Sequence, residues 1–176
     1  MFLPLSDTEV TLDDYTPMTM LLVFTNTVIW LLDLVLFFSD YSHYRWSIIY
    51  LGGSVPEMIL HREGLGAVSI ITSSFLHGGF FHLLGNMWAL WVFGRRVEIA
   101  CGPWRFLLFY LFCSVSAGLI DIFINYDMER PSIGASGAVF GVMAAYMLLF
   151  PGGRIRTLIF YFVPIWPKIR AFWVVL

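Results

Sequence analysis

The feature that most constrains this chain is a set of apolar runs long enough to cross a lipid bilayer. One extends from Met18 to Phe38 and another from Pro103 to Asn125. A helix crossing the hydrocarbon core needs about 20 residues, because each residue adds about 1.5 Å. Of the 176 residues, 59% are hydrophobic and 12% are charged, whereas soluble domains carry about 25% charged residues. The chain is therefore predicted to be an all-α, polytopic membrane helix bundle.

Three further apolar segments bring the expected number of spans to about five. They cover about Phe80 to Phe93, a stretch from Ser136 to Pro151, and Ile155 to Leu176. The connection from Ser39 to Leu76 is too polar to span, but part of it suits the membrane interface. The last segment carries prolines and basic residues and then stops in an apolar run, so it is expected to be a span cut off part-way.

An acidic tail, residues 1–17, precedes the transmembrane domain predicted for residues 18–176. The tail has no Lys or Arg, so it lacks the basic region of a secretory signal peptide. The net charge of -2 argues against nucleic-acid binding, which depends on clustered positive charge. The expected partners are therefore the lipid bilayer and membrane proteins, and the sequence leaves the oligomeric state open. Cys101 and Cys113 lie about 18 Å apart if helical, so free thiols are predicted.

The basic residues near the predicted spans indicate an orientation. Most of them flank the same ends of the spans, at Arg95, Arg96, Arg105, Arg154 and Arg156. The positive-inside rule places these positions in the cytoplasm. We therefore expect an integral, multi-pass protein, in the cytoplasmic membrane if the source is prokaryotic, with His77, His82 and Ser136 toward the non-cytoplasmic side.

Two polar motifs interrupt the apolar segments and carry the candidate chemistry. The first is His77-Gly-Gly-Phe-Phe-His82-Leu-Leu-Gly-Asn86, and the second is Gly134-Ala-Ser136-Gly137-Ala-Val-Phe140-Gly141. Polar side chains within a membrane are costly, so they indicate function. His82 and Asn86 are four residues apart and share one helix face.

The second motif predicts a nucleophile at a helix N terminus. Ser136 would lie beside free backbone N–H groups, which favour an oxyanion. Gly134 and Gly137 allow a substrate or a second backbone to approach closely, and the spacing of Gly137 and Gly141 favours tight helix packing. Acyl transfer needs a nucleophile and donors aimed at the developing oxyanion, and Ser136, His82 and Asn86 supply both. His77, in the entry loop, is expected to brace the His82 ring.

These motifs resemble the rhomboid family of intramembrane serine proteases. The resemblance covers residues 72–151 and includes Thr72-Ser-Ser-Phe-Leu-His77, His82-Leu-Leu-Gly-Asn86-Met87, Phe93-Gly-Arg-Arg-Val-Glu98 and the glycine-serine motif. It implies that Ser136 is the nucleophile, that His82 and Asn86 form the oxyanion site and that His77 supports them. It also implies that Phe140 takes the position of an aromatic ring stacked on the catalytic histidine. The implied activity is cleavage of transmembrane segments near their outer ends at a small residue, with no metal or organic cofactor.

Two departures from the family pattern affect these expectations. The family's general base is a histidine on a sixth span, and the chain as given stops before one, while His43 and His61 match no such position. We therefore expect the 176 residues to be an inactive piece of a longer protease rather than a natural pseudoenzyme. Val68 and Ser69 stand where the family often has Trp-Arg, which affects only the anchoring of the long loop.

Other mechanisms fit the sequence less well. A membrane zinc protease needs two histidines four apart with an intervening glutamate, and an aspartyl protease needs two aspartates in its own motifs, which Asp33 and Asp121 lack. A transporter is disfavoured because no broken-helix repeat is evident. The open alternative is a non-catalytic rhomboid-like protein that binds membrane clients.

Overall fold

The computed structural model describes residues 2–11, 13–159 and 166–175, which form a helical bundle with a small antiparallel sheet. The helices are α1 (Pro17–Phe37), α2 (Tyr44–Gly52), α3 (Pro56–Leu60), α4 (Ser69–Thr72), α5 (Phe80–Ala89), α6 (Arg95–Cys101), α7 (Pro103–Ile124), α8 (Ser136–Leu149) and α9 (Ala171–Val175). Gly66–Val68 and Ser73–Phe75 form 3₁₀ turns, and Leu90–Gly94 is a π-helical turn that joins α5 to α6. The strands are β1 (Phe2–Asp7), β2 (Arg154–Ile159) and β3 (Lys168–Arg170).

The two long helices confirm the predicted membrane bundle. α1 has 21 residues with a mean hydropathy of 2.1, and α7 has 22 residues with a mean hydropathy of 2.2. Each begins with a proline, whose missing N–H costs nothing in the first helical turn. Their length, at 1.5 Å per residue, matches the roughly 30 Å hydrocarbon core. These bounds agree with the expected segments within one residue at each end.

The structure reduces the expected number of spans. Among the described residues, two helices are long and apolar enough to cross a bilayer, and a third candidate is the pair Gly66–Phe75 and Phe80–Cys101, bent by 84°. α8 is apolar but has only 14 residues, which gives about 21 Å of helix. The apolar runs outnumber the spans, because α8 is short and the segment that follows it forms strands.

The last segment corrects the expectation of a fifth span. In place of a helix from Ile155, the chain forms β2 and β3, and only Ala171–Val175 is helical, while 160–165 lie outside the described residues. The physical reason is an alternation of period two. Ile155 and Thr157 are fully buried, whereas Arg154 and Arg156 are exposed. The fold is therefore the helical bundle that the sequence predicted, with a small three-stranded sheet that it did not predict.

The acidic tail contributes β1, which pairs with β2 in the sheet. Its last residue, Asp7, is buried and accepts hydrogen bonds from the Arg96 guanidinium and the Tyr146 hydroxyl. Arg96 lies in α6 and Tyr146 in α8. The N-terminal segment is thus joined to two helices of the bundle through one carboxylate.

Close helix packing defines the centre of the bundle. A Cβ added to Gly137 would lie 2.4 Å from Cβ of Ala117, and one added to Gly141 would lie 2.4 Å from Sγ of Cys113. Only glycine permits this approach of α8 to α7, as the small-residue spacing predicted. Cys101 and Cys113 are both free thiols, which confirms the absence of a disulfide between them.

Candidate functional site

The His82 ring lies against the loop that leads into α8. A Cβ at Gly134 would be 2.6 Å from Cε1 and 2.7 Å from Nε2 of His82, and the φ of Gly134 is +125°. Both the close approach and the backbone conformation therefore require glycine at this position. The Gly134 N–H donates to the Ser73 carbonyl oxygen at 2.9 Å. The structure thus brings α5 next to the segment that begins two residues before Ser136.

His77 lies beside His82, as the sequence predicted. The two ring centroids are 5.1 Å apart with an interplanar angle of 65°. The His77 side chain is 4% exposed, and neither ring nitrogen has a hydrogen-bond partner among the described residues. The observed contact is ring against ring, and the supporting role of His77 stays a prediction.

Asn86 lies one turn after His82 on α5 and is 7% exposed. Its amide nitrogen is buried without a hydrogen-bond partner in the part of the chain that the structure describes. An unpaired buried amide is costly. A substrate or a water molecule that accepted a hydrogen bond from this amide would remove that cost. His82 itself is exposed despite its contact with Gly134.

Ser136 is the first residue of α8 and is half-buried. It lines a cavity of about 210 Å³ between α4, α7 and α8, and no side chain caps the N terminus of α8. The first-turn N–H groups of a helix have no partner within the helix. A reacting carbonyl at Ser136 would therefore meet backbone donors as well as the hydroxyl.

The cavity contains polar residues that the sequence reasoning did not assign to the site. Ser114 and Asp121 of α7 line it together with Ser136. The Asp121 carboxylate also accepts a hydrogen bond from the Asn125 amide. The spacing of Ser114, Gly118 and Asp121 is four and then three, which places them on one helix face. That pattern was the available signal for a polar face directed at the cavity.

Phe140 and Glu98 occupy different surroundings from the histidine cluster. Phe140 is 67% exposed, so its stacking on a catalytic histidine stays a prediction. Glu98 is buried and accepts hydrogen bonds from the backbone N–H groups of Met18 and Thr19. A carboxylate at this position stabilises the N terminus of α1. Glu98 of α6 thus caps the N terminus of the first span, α1.

Comparisons with known proteins agree with the motifs. The Rhomboid domain family model matches residues 65–176. The chain is 36% identical over 108 residues to Rhomboid protein 1, mitochondrial, of Saccharomyces cerevisiae, covering 58% of this chain and 31% of that protein. It is 37% identical over 108 residues to RHOMBOID-like protein 5 of Arabidopsis thaliana, covering 55% and 34%.

A third relative is the human Presenilin-associated rhomboid-like protein, mitochondrial. The identity is 35% over 95 residues, covering 51% of this chain and 24% of that protein. The alignments thus span about a quarter to a third of these relatives' lengths. No solved structure matches the chain. With a matching domain model over more than half its length and the two polar motifs in contact, this chain belongs to the rhomboid family.

Proposed function

We propose that this protein is an intramembrane serine endopeptidase that cleaves transmembrane segments of other proteins, with Ser136 as its nucleophile. The observation that carries the proposal is the contact of the His82 ring with Gly134, at the entrance to α8. A histidine from one membrane helix thereby lies next to the serine-bearing N terminus of another. This juxtaposition supports an acyl-transfer site more than a simple packing contact, because the buried Asn86 amide beside it lacks a partner.

In this mechanism, the Ser136 hydroxyl attacks the scissile carbonyl carbon and loses its proton to a base. The resemblance to the family implies that the base is a histidine of a further span. The tetrahedral oxyanion would accept hydrogen bonds from the Asn86 amide, the His82 ring N–H and a backbone N–H at the start of α8. Collapse of the intermediate releases the amine fragment and leaves an acyl ester on Ser136.

Hydrolysis of the acyl ester requires water at membrane depth. The cavity beside Ser136 is lined by Ser114 and Asp121. The Ser114 hydroxyl and the Asp121 carboxylate can each hydrogen-bond to water, so the cavity can hold water molecules. Water held there would attack the ester carbonyl and release the second fragment. The cavity therefore supports hydrolysis as the second half of the reaction.

The proposed orientation places Ser136 on the non-cytoplasmic side, with cleavage near the outer end of the substrate helix. The exposed basic residues Arg154 and Arg156 follow α8 at its opposite end from Ser136, in accord with the positive-inside rule. Two of the relatives compared above are named mitochondrial proteins.

The test compares two serines that line the same cavity, in the protein expressed from its complete reading frame. Ser136→Ala should abolish both cleavage of a transmembrane reporter and labelling by a fluorophosphonate, since it removes the nucleophile. Ser114→Ala is the matched control and should retain labelling. Cleavage by the Ser136→Ala protein at the wild-type rate would contradict the proposal. Binding of the reporter without cleavage by the wild-type protein would instead support the client-binding alternative.

A further inference from the structure

The strands that follow α8 carry four basic side chains on one face of the sheet. In the antiparallel ladder, Arg154 is opposite Arg170 and Arg156 is opposite Lys168. Directly opposed residues share a face, with Cβ atoms about 5 Å apart, and positions two apart on one strand share it as well. All four side chains are exposed, whereas Ile155 between the two arginines is fully buried. We call Arg154, Arg156, Lys168 and Arg170 the basic sheet face.

No acidic side chain of the described residues forms an ion pair with the basic sheet face. The three ion pairs among the described residues lie elsewhere: one joins Arg45 to Asp33, and two join Arg96 to Asp7 and Glu9. Residues 160–165, which connect β2 to β3, read Phe-Tyr-Phe-Val-Pro-Ile and supply no carboxylate. Like charges directly opposite each other destabilise a sheet. The arrangement therefore favours an anion from outside the chain.

Aromatic residues flank β3 and indicate which anion is available. Trp166 lies two residues before Lys168, and Trp173 lies three residues after Arg170. Their exposed fractions are 58% and 70%. Tryptophan is enriched where the hydrocarbon core meets the headgroups, because its ring is apolar and its N–H is polar. Exposed tryptophans on both sides of paired cations fit a lipid surface.

The position of the sheet agrees with this assignment. β2 begins five residues after α8 ends, and the buried Asp7 of β1 joins the sheet to α6 and α8. Arg96, which bonds Asp7, lies in the same short helix as Glu98, which caps the N terminus of α1. The basic sheet face is thus held where the membrane helices reach the bilayer surface, away from Ser136.

We propose that the basic sheet face binds anionic phospholipid headgroups in the leaflet at the end of the bundle opposite Ser136. Each cross-strand pair of cations can share one headgroup phosphate, which removes the repulsion between them. Arginine suits this role because its guanidinium donates two parallel hydrogen bonds to phosphate oxygens. This inference is independent of the proteolytic function proposed above, because none of these residues takes part in that site.

The test measures lipid binding by native mass spectrometry of the purified full chain in a neutral detergent. Phosphatidylglycerol and phosphatidylcholine with the same acyl chains are titrated separately, and the wild-type protein should prefer phosphatidylglycerol. Arg156→Gln with Lys168→Gln removes one cross-strand pair of cations. Affinity for phosphatidylglycerol should fall about fivefold for each cation removed near an anionic surface, and so roughly 30-fold for the pair.

Two matched variants separate a specific surface from general charge. Arg105→Gln with Arg130→Gln removes two exposed cations from outside the basic sheet face and should leave the affinity unchanged. Arg156→Lys keeps the charge and should keep most of the binding. Melting temperatures without added lipid should show that both double variants are folded, since removing opposed like charges does not weaken the sheet.

Three outcomes would overturn the proposal. One is wild-type affinity for phosphatidylglycerol in the variant lacking Arg156 and Lys168. Another is an equal loss of affinity in the variant lacking Arg105 and Arg130. The third is displacement of phosphatidylglycerol by inorganic phosphate at a similar concentration, which would identify a site for free phosphate rather than a lipid surface.

Discussion

At the scale of single residues, the candidate site depends on polar groups whose hydrogen-bonding capacity is not used within the described residues. The Asn86 amide nitrogen and both nitrogens of His77 are buried without partners there. Groups of this kind destabilise a fold unless a ligand or water pairs with them. Asn86 follows His82 by one turn of α5, and the His77 ring packs against the His82 ring that contacts Gly134.

Asn86→Ala should lower kcat about 10²-fold to 10³-fold in the protein expressed from its complete reading frame, because it removes one oxyanion donor among several. The melting temperature should change little. Asn26→Ala is the matched control, since the Asn26 amide donates to the Leu22 carbonyl oxygen within α1 and should affect stability without lowering kcat. Wild-type turnover by the Asn86→Ala protein would exclude this residue from the oxyanion site.

Gly134→Ala should both destabilise the protein and abolish proteolysis. The new Cβ would overlap the His82 ring, and the backbone would keep a φ that alanine rarely adopts. Gly85→Ala on α5 is the control, because no atom lies within 4 Å of the added Cβ and alanine favours a helix over glycine by about 1 kcal/mol. Thermal unfolding and reporter cleavage, measured in detergent, should separate the two variants. Equal melting temperatures would contradict the close contact.

At the scale of elements, the α7–α8 interface sets the position of Ser136. Gly137 and Gly141 let the two helices approach at the separation that glycine alone permits. Ser136, the proposed nucleophile, is the first residue of α8, so any change in this separation moves it relative to the cavity. Packing between spans is thereby part of the geometry of the site.

Gly141→Ala should destabilise the bundle by about 1–3 kcal/mol, because the extra methyl group overpacks a tight contact. Its principal clash is with Sγ of Cys113. Cys113→Ala removes that atom, so the double variant should recover part of the lost stability. The measurement is a double-mutant cycle of unfolding free energies. Strict additivity of the two substitutions would show that α8 and α7 do not meet at these residues.

At the scale of the whole molecule, two buried carboxylates join the N-terminal segment to the bundle. Asp7 bonds with Arg96 and Tyr146, and Glu98 caps α1. The contacts join residues about 80 to 140 positions apart in the chain. The Asp7 contacts therefore dock the sheet on the bundle.

Asp7→Ala should destabilise the protein by about 3 kcal/mol, because it leaves the largely buried Arg96 guanidinium without its buried partner. Glu9→Ala provides the comparison, since its side chain is 68% exposed and an exposed pair contributes about 0–1 kcal/mol. Equilibrium unfolding in detergent gives both values. Similar losses for Asp7 and Glu9 would indicate that the sheet is not docked through Asp7.

The sequence by itself determined the features that depend on neighbouring residues. Apolar length predicted α1 and α7, because a span must satisfy its backbone hydrogen bonds internally. The two polar motifs predicted membership in the rhomboid family. The spacing of four residues predicted that His82 and Asn86 share one face of a helix.

Only the tertiary structure decided the features that depend on distant pairing. A strand is stabilised by its partner, so the short alternating pattern at Arg154–Thr157 acquired meaning only when β1 and β3 lay beside it. The close approach of His82 to Gly134 and the burial of Asp7 next to Arg96 likewise arise from packing between elements. Local sequence sets which helices form, whereas the contacts that create the site and the sheet come from the free energy of burying them together.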